Sequence, residues 1–171
     1  MKGPTTPPAT VVTIFGAAGD LAWRKLVPAL YSLYVGDWMP QRFAIVGIDR
    51  KDLSDSRFPR HLRGGAEHFC RRKVDKGDWS EFARTLSYQV GDLADAGTYR
   101  TLARDLDAFD KHWNTQANRI FYLAVPPTVV ETIARNLGKA KMAGNDPRHR
   151  IVVEKPFGRD LESARALNRV L

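Results

Sequence analysis

The sequence predicts an α/β fold, a parallel sheet covered by helices on both faces, and three observations carry that prediction. Apolar runs of strand length alternate with segments of helical periodicity along the whole chain. The strand segments are continuously apolar, as in Thr10 to Phe15 and Phe43 to Ile48, which suits strands buried on both faces. The first strand runs straight into a short glycine turn and then a helix.

Taken in order, Met1 to Ala9 carries three prolines and no apolar stretch, and reads as a loose leader rather than a secretory signal. The folded domain spans residues 10–171. Thr10 to Phe15 is a β-branched first strand that ends at Gly16. From Asp20 to Tyr34, Leu21, Leu26, Leu30 and Leu33 recur at helical spacing, with a kink expected at Pro28. Phe43 to Ile48 is the second strand. Arg57 to Leu86 reads as helix in two pieces, broken around Lys76 to Asp78. Ser87 to Val90 forms a short third strand and Ala96 to Phe109 a helix. Ile120 to Val125 is a buried strand closed by Pro126 and Pro127, and a helix follows from Thr128 to Ala140. Ile151 to Val153 is the fifth strand, and another helix starts at Leu161.

The 171 residues suffice for one domain with a real core. With 43% apolar and 27% charged residues the composition is that of an ordinary globular domain, and no apolar run is long enough for a bilayer. Cys70 is the single cysteine, which excludes an internal disulfide and fits a reducing cytoplasm. The net charge of +8, from 27 Lys and Arg against 19 acids, suits a polyanionic partner, either nucleic acid or a phosphorylated cofactor and substrate, and equally a solvated basic surface; composition does not choose among them. No aromatic-interleaved or helix-turn-helix pattern supports nucleic-acid binding.

Three segments carry the chemistry. Gly16-Ala17-Ala18-Gly19-Asp20-Leu21 follows the first strand. Gly16 permits the tight turn, Gly19 permits close approach of a pyrophosphate to the helix N-terminus, and Ala22 falls where the third small residue of a dinucleotide fingerprint would stand. Asp20 is expected to cap the helix or bind the turn backbone. The second strand ends in Asp49-Arg50-Lys51. Asp49 argues for NAD, through the ribose hydroxyls, while Arg50 with Lys51 argues for NADP, through the 2′-phosphate. The fifth strand ends in Glu154-Lys155-Pro156-Phe157-Gly158, where Lys155 points into the crevice in which nicotinamide and substrate meet and Pro156 fixes a turn. Together these predict a Rossmann-type, doubly wound sheet.

Thr13 to Ala22 followed by Arg24-Lys25-Leu26, Asn118 to Pro127, and Ile151 to Asp160 resemble three ordered segments of the glucose-6-phosphate dehydrogenase family. The resemblance implies oxidation of glucose 6-phosphate at C1 to the lactone, with hydride transfer to NADP. By position, Gly16, Ala17, Ala18, Gly19, Asp20 and Leu21 would cradle the pyrophosphate, and Arg50 would meet the 2′-phosphate. Tyr122 would lie along the cofactor, Lys155 would stand between nicotinamide and sugar, and Lys25 would face the substrate. Asp49 departs from the family's small or neutral residue there and leaves NAD conceivable. The family's R-I-D-H-Y-L-G-K-E segment and its general-base histidine would lie beyond Leu171. The segment is therefore expected to bind coenzyme without turnover, within an enzyme that forms a homo-oligomer. His61, His68, His112 and His149 match no catalytic motif. A sugar oxidoreductase of the glucose–fructose oxidoreductase type is disfavoured by the G-D-L-A run, and a short-chain reductase by the lack of a Tyr-x-x-x-Lys pair. A non-catalytic nucleotide-binding module is the alternative of another class.

Overall fold

A computed structural model of the chain describes residues 7–53, 56–144 and 146–155, together with 162 and 165. Five strands, β1 (Thr10–Phe15), β2 (Phe43–Asp49), β3 (Leu86–Val90), β4 (Asn118–Leu123) and β5 (His149–Val153), form one sheet in the order β3-β2-β1-β4-β5. Every neighbouring pair is parallel. The helices are α1 (Val27–Val35), α2 (Arg57–Phe69), α3 (Lys76–Ala83), α4 (Ala96–Trp113) and α5 (Pro127–Lys139).

The core shows why β1 is continuously apolar. Its residues alternate between faces, and both faces are covered. Val11 and Phe15 pack with Leu102 and Leu106 of α4 and with Ile133 and Leu137 of α5. Val12 and Ile14 pack with Val27 and Tyr31 of α1, Phe58 and Leu62 of α2, and Phe82 of α3. Helices on both faces of a parallel sheet, with the strand order reversing between β1 and β4, make a doubly wound Rossmann-type arrangement. Among the described residues no helix is long and apolar enough to cross a membrane.

The first helix begins at Asp20, but Ala22–Leu26 is wound as a π-helical turn before α1. The Val27 N–H reaches back to the Ala22 carbonyl, five residues earlier, and Pro28 follows in the first turn of α1. A proline there lacks an N–H and crowds the carbonyl four residues back, and a widened turn absorbs both defects. The expected kink is thus a change of winding.

The break between α2 and α3 falls earlier than the sequence suggests. α2 ends at Phe69, and Asp75 caps α3 by accepting from the amides of Gly77 at 2.6 Å and Asp78 at 3.2 Å. Lys76 to Asp78 is therefore the first turn of α3 rather than the gap. α4 runs on to Trp113 and stops where Asn114 takes a left-handed conformation, a common helix terminator. β4 ends at Leu123 because its neighbour β1 ends level with it, at Phe15. β5 starts two residues earlier than expected, at His149. Of the helix expected from Leu161, the described Glu162 and Arg165 are helical, while the Pro156 turn lies outside the described residues.

Candidate functional site

The registers bring one rim of the sheet to a common level. Phe15 pairs with both Ile48 and Leu123, and Leu123 pairs with Val153. Gly16, Asp49, Ala124 and Glu154 therefore stand side by side at the carboxyl ends of four strands. The order reversal between β1 and β4 opens the crevice where this fold binds ligands.

Gly16 is fixed by its backbone. Its φ of +81° is strained for any side-chain-bearing residue, and an added Cβ would stand 2.4 Å from the Ala124 carbonyl oxygen. The amides of Gly16 and Ala17 both donate to the Ile48 carbonyl, at 2.9 and 3.2 Å, and the Gly19 amide closes the turn onto Gly16 at 3.0 Å. The Trp23 amide then bonds to the Gly19 carbonyl at 3.1 Å, which starts the helix. Amides of a first helical turn have no acceptor within the helix, so this terminus offers donors and a partial positive charge. Ala17 and Ala22 are 1% exposed, so they are packing residues beneath the turn. Small side chains, an amide-rich turn and exposed Arg50 and Lys51 nearby fit a pyrophosphate-bearing dinucleotide.

Asp49 is committed to the same turn. One carboxylate oxygen accepts from the Ala18 amide at 3.1 Å and the other from the Lys51 amide at 3.3 Å. The Lys51 carbonyl accepts in turn from the Tyr88 hydroxyl at 2.6 Å, and burial, then the nearby Asp49 and Asp52 charges, push that phenol up to about 12. Asp49 thus ties the end of β2 to the phosphate turn. Asp20 does not cap the helix. It already lies inside the first turn, with Gly19 at the boundary, and it pairs with Arg24 at 3.5 Å on an exposed surface.

The turn also rests on α2, which sequence reasoning missed. An added Cβ on Gly65 would stand 2.1 Å from the Trp23 carbonyl oxygen, so only glycine permits this approach of the two helices. The Trp23 indole N–H donates to the His61 carbonyl at 3.0 Å, and its ring stacks on His61 and His68. His61 Nε2 is buried without a hydrogen-bond partner. Burial first, then the Lys51 charge, lower the His61 pKa, against a raising contribution from the Ala18 backbone. The Gly64-Gly65 pair inside a helical run was the available signal of close packing.

At the other end of the crevice, the Tyr122 hydroxyl of β4 donates to the Glu154 carboxylate just past β5. Lys155 follows, exposed. The structure thus gathers Gly16 to Leu21 with Asp49 and Arg50 at one end, and Tyr122 with Glu154 and Lys155 at the other. Lys25 lies apart from both ends, exposed on a groove of about 730 Å³ walled by α1, Phe69 and the Cys70–Lys73 link. Among the described residues no group of three or more His, Cys, Asp or Glu side chains is arranged to hold a metal.

Comparison with known proteins agrees with this geometry. The family described as "Glucose-6-phosphate dehydrogenase, NAD binding domain" matches residues 13–171. Glucose-6-phosphate 1-dehydrogenase of Chlamydia pneumoniae is 35% identical over 176 residues, covering 100% of this chain and 34% of the relative. The Leuconostoc mesenteroides protein of the same name is 34% identical over 162 residues, covering 95% of this chain and 33% of the relative. The crystal structure of glucose-6-phosphate 1-dehydrogenase from Mycobacterium avium superposes with a TM-score of 0.81 at 33% identity, covering 95% of this chain and 33% of its own. A glucose-6-phosphate dehydrogenase solved with its substrate glucose-6-phosphate gives a TM-score of 0.82 at 30% identity, covering 98% and 34%. The chain spans about a third of the length of the relatives it matches. With this match along residues 13–171 and the dinucleotide rim described above, the chain belongs to the family of glucose-6-phosphate dehydrogenase NAD-binding domains.

Proposed function

We propose that this chain is the coenzyme domain of a cytoplasmic glucose-6-phosphate dehydrogenase and that it takes NADP. The observation that carries the coenzyme choice is the engagement of Asp49. Both its oxygens accept from backbone amides, of Ala18 and Lys51, so its carboxylate is held by the turn rather than turned outward toward a ribose. That leaves the exposed Arg50 guanidinium at the end of β2 to pair with a 2′-phosphate, a pairing that its fork geometry suits. Use of NAD as a second coenzyme has one observation in its favour: Asp49 keeps a negative charge beside Arg50.

The roles then follow the rim. The Gly16 to Leu21 turn shapes the cradle, and the amides of the first helical turn at Asp20 and Leu21 face the pyrophosphate. Tyr122 lies along the nicotinamide half, and Lys155 stands between nicotinamide and sugar. Lys25, in the first helix, faces the substrate side. Bound NADP supplies the hydride acceptor for oxidation of glucose 6-phosphate at C1 to the lactone. In this reading these residues bind and orient the coenzyme and the substrate. The assembled enzyme is a homo-oligomer, and neither nucleic acid nor membrane is a partner.

Calorimetric titration with NADP and with NAD tests this. The expected result is tighter binding of NADP, with the advantage falling about tenfold in Arg50→Ala while NAD affinity stays put. Tighter binding of NAD by the unaltered chain overturns the NADP assignment, and binding of neither at millimolar concentration overturns the coenzyme role.

A further inference from the structure

Tyr122 and Glu154 meet at the carboxyl ends of β4 and β5, and the proposed function uses only the first of them. Tyr122 is level with Val152 in the parallel register, and Glu154, two residues further along, falls on the same face of the sheet. The strands therefore deliver the phenol and the carboxylate to one side of the crevice, where they bond. A carboxylate has only lone pairs to offer, so the polarity of that bond is fixed: Tyr122 donates and Glu154 accepts. Burial and then this bond push the phenol up to about 12, and it keeps its proton across the neutral range. With its one hydrogen committed, the phenol oxygen can only accept from a ligand.

We propose that Glu154 is a positioning residue that fixes Tyr122 as a hydrogen-bond acceptor, so that this corner takes a donor from the nicotinamide half of the coenzyme, a ribose hydroxyl or the carboxamide NH2, and repels phosphate. The inference rests on Tyr122 lying along the coenzyme. It also sets direction. The β1 turn offers donors and a positive helix end to the pyrophosphate, while the Tyr122–Glu154 corner offers lone pairs and a negative charge. The coenzyme then lies one way round across the order reversal.

The test compares two probes by calorimetry, NADP and 2′,5′-ADP, which carries the adenosine end alone. Glu154→Ala and Tyr122→Phe should each weaken NADP about fivefold, the scale of one hydrogen bond, and leave 2′,5′-ADP unchanged. The double variant should bind NADP no more weakly than Tyr122→Phe alone, because Glu154 acts through the phenol. Glu154→Gln keeps a side-chain oxygen that accepts the phenol proton, so it should bind NADP nearly as the unaltered chain does. The ultraviolet titration of the Tyr122 phenol, taken as the difference from Tyr122→Phe, should move to lower pH in Glu154→Ala. An unchanged NADP affinity in Glu154→Ala, or a loss that adds to that of Tyr122→Phe, overturns the role of Glu154 while coenzyme binding stands. Equal loss of 2′,5′-ADP also overturns it, by showing a general disturbance of the site. Failure of the unaltered chain to bind either probe overturns the coenzyme reading beneath it.

Discussion

The two ends of the crevice share one rim but are built differently. At the β1–β2 end, position is set by backbone: a glycine at φ +81°, amides held on the Ile48 carbonyl, and Asp49 bonded to the Ala18 amide. Buried small residues, Ala17 and Ala22, support it from below. At the β4–β5 end, position is set by side chains, with the exposed Glu154 holding a partly buried tyrosine and Lys155 projecting into solvent. Substitutions at the first end should therefore cost folding and binding together. Substitutions at the second should cost binding alone. A rigid phosphate anchor joined to a softer corner suits a site where the reacting end of a ligand must be adjusted after its charged end is seated.

The strongest test of that contrast is Gly16→Val beside Lys155→Ala. The valine meets a left-handed backbone and the Ala124 carbonyl 2.4 Å from its Cβ, so a loss of about 3 kcal/mol in unfolding free energy is expected, with NADP binding abolished. Lys155→Ala should stay within about 0.5 kcal/mol, as exposed substitutions generally do. Urea midpoints measure both, and equal losses would break the comparison.

Next in size is Gly65→Ala. Alanine is the better helix former by about 1 kcal/mol in an exposed helix interior. Here its Cβ would stand 2.1 Å from the Trp23 carbonyl oxygen, so α2 must move away from the phosphate turn. A net destabilisation of about 2 kcal/mol is expected, with weaker NADP binding, because the helix that starts at the turn shifts with it. A stabilised Gly65→Ala would mean that α2 does not support the turn.

Asp49 sharpens the contrast further. Asp49→Ala leaves the Ala18 amide without its partner and should cost about 1 kcal/mol in the urea midpoint. Asp49→Asn keeps an oxygen for that amide and should cost less, while removing the charge beside Arg50 should tighten NADP relative to NAD. If both variants lose stability equally, the negative charge rather than the hydrogen bond holds the turn.

Which of these features could be read from sequence depended on whether their cause was local. Gly16 and Gly19 are statements about backbone geometry, and their position after an apolar strand carried the meaning. The strands were legible because burial on both faces leaves an unbroken apolar run. Asp49 was ambiguous, since a carboxylate at a strand end has the same spelling whether it accepts from a ribose or from an amide 31 residues away. The α2–α3 break was misplaced because Gly77 looks like a breaker, whereas Asp75 caps a helix that contains it. Tyr122 and Glu154 stand 32 residues apart, and only the register of β4 with β5 brings them together.

The smallest expected effect belongs to His61, beneath the anchored end. Burial lowers its pKa, so the folded state favours the neutral ring and binds fewer protons than the unfolded chain just below the ordinary histidine value of about 6.5. The stability it contributes is present above that value and is lost as pH falls through the lowered folded-state pKa. His149, also lowered chiefly by burial, adds to the same slope. Melting temperature should therefore decline from about pH 7 toward pH 5, and less steeply in His61→Gln. At the β4–β5 corner the Tyr122 phenol, at about 12, keeps its proton throughout. A melting temperature whose decline persists unaltered in His61→Gln would show that the anchored end is not the pH-sensitive one, and the division of the rim into a packed end and an adjustable end would fail on its own terms.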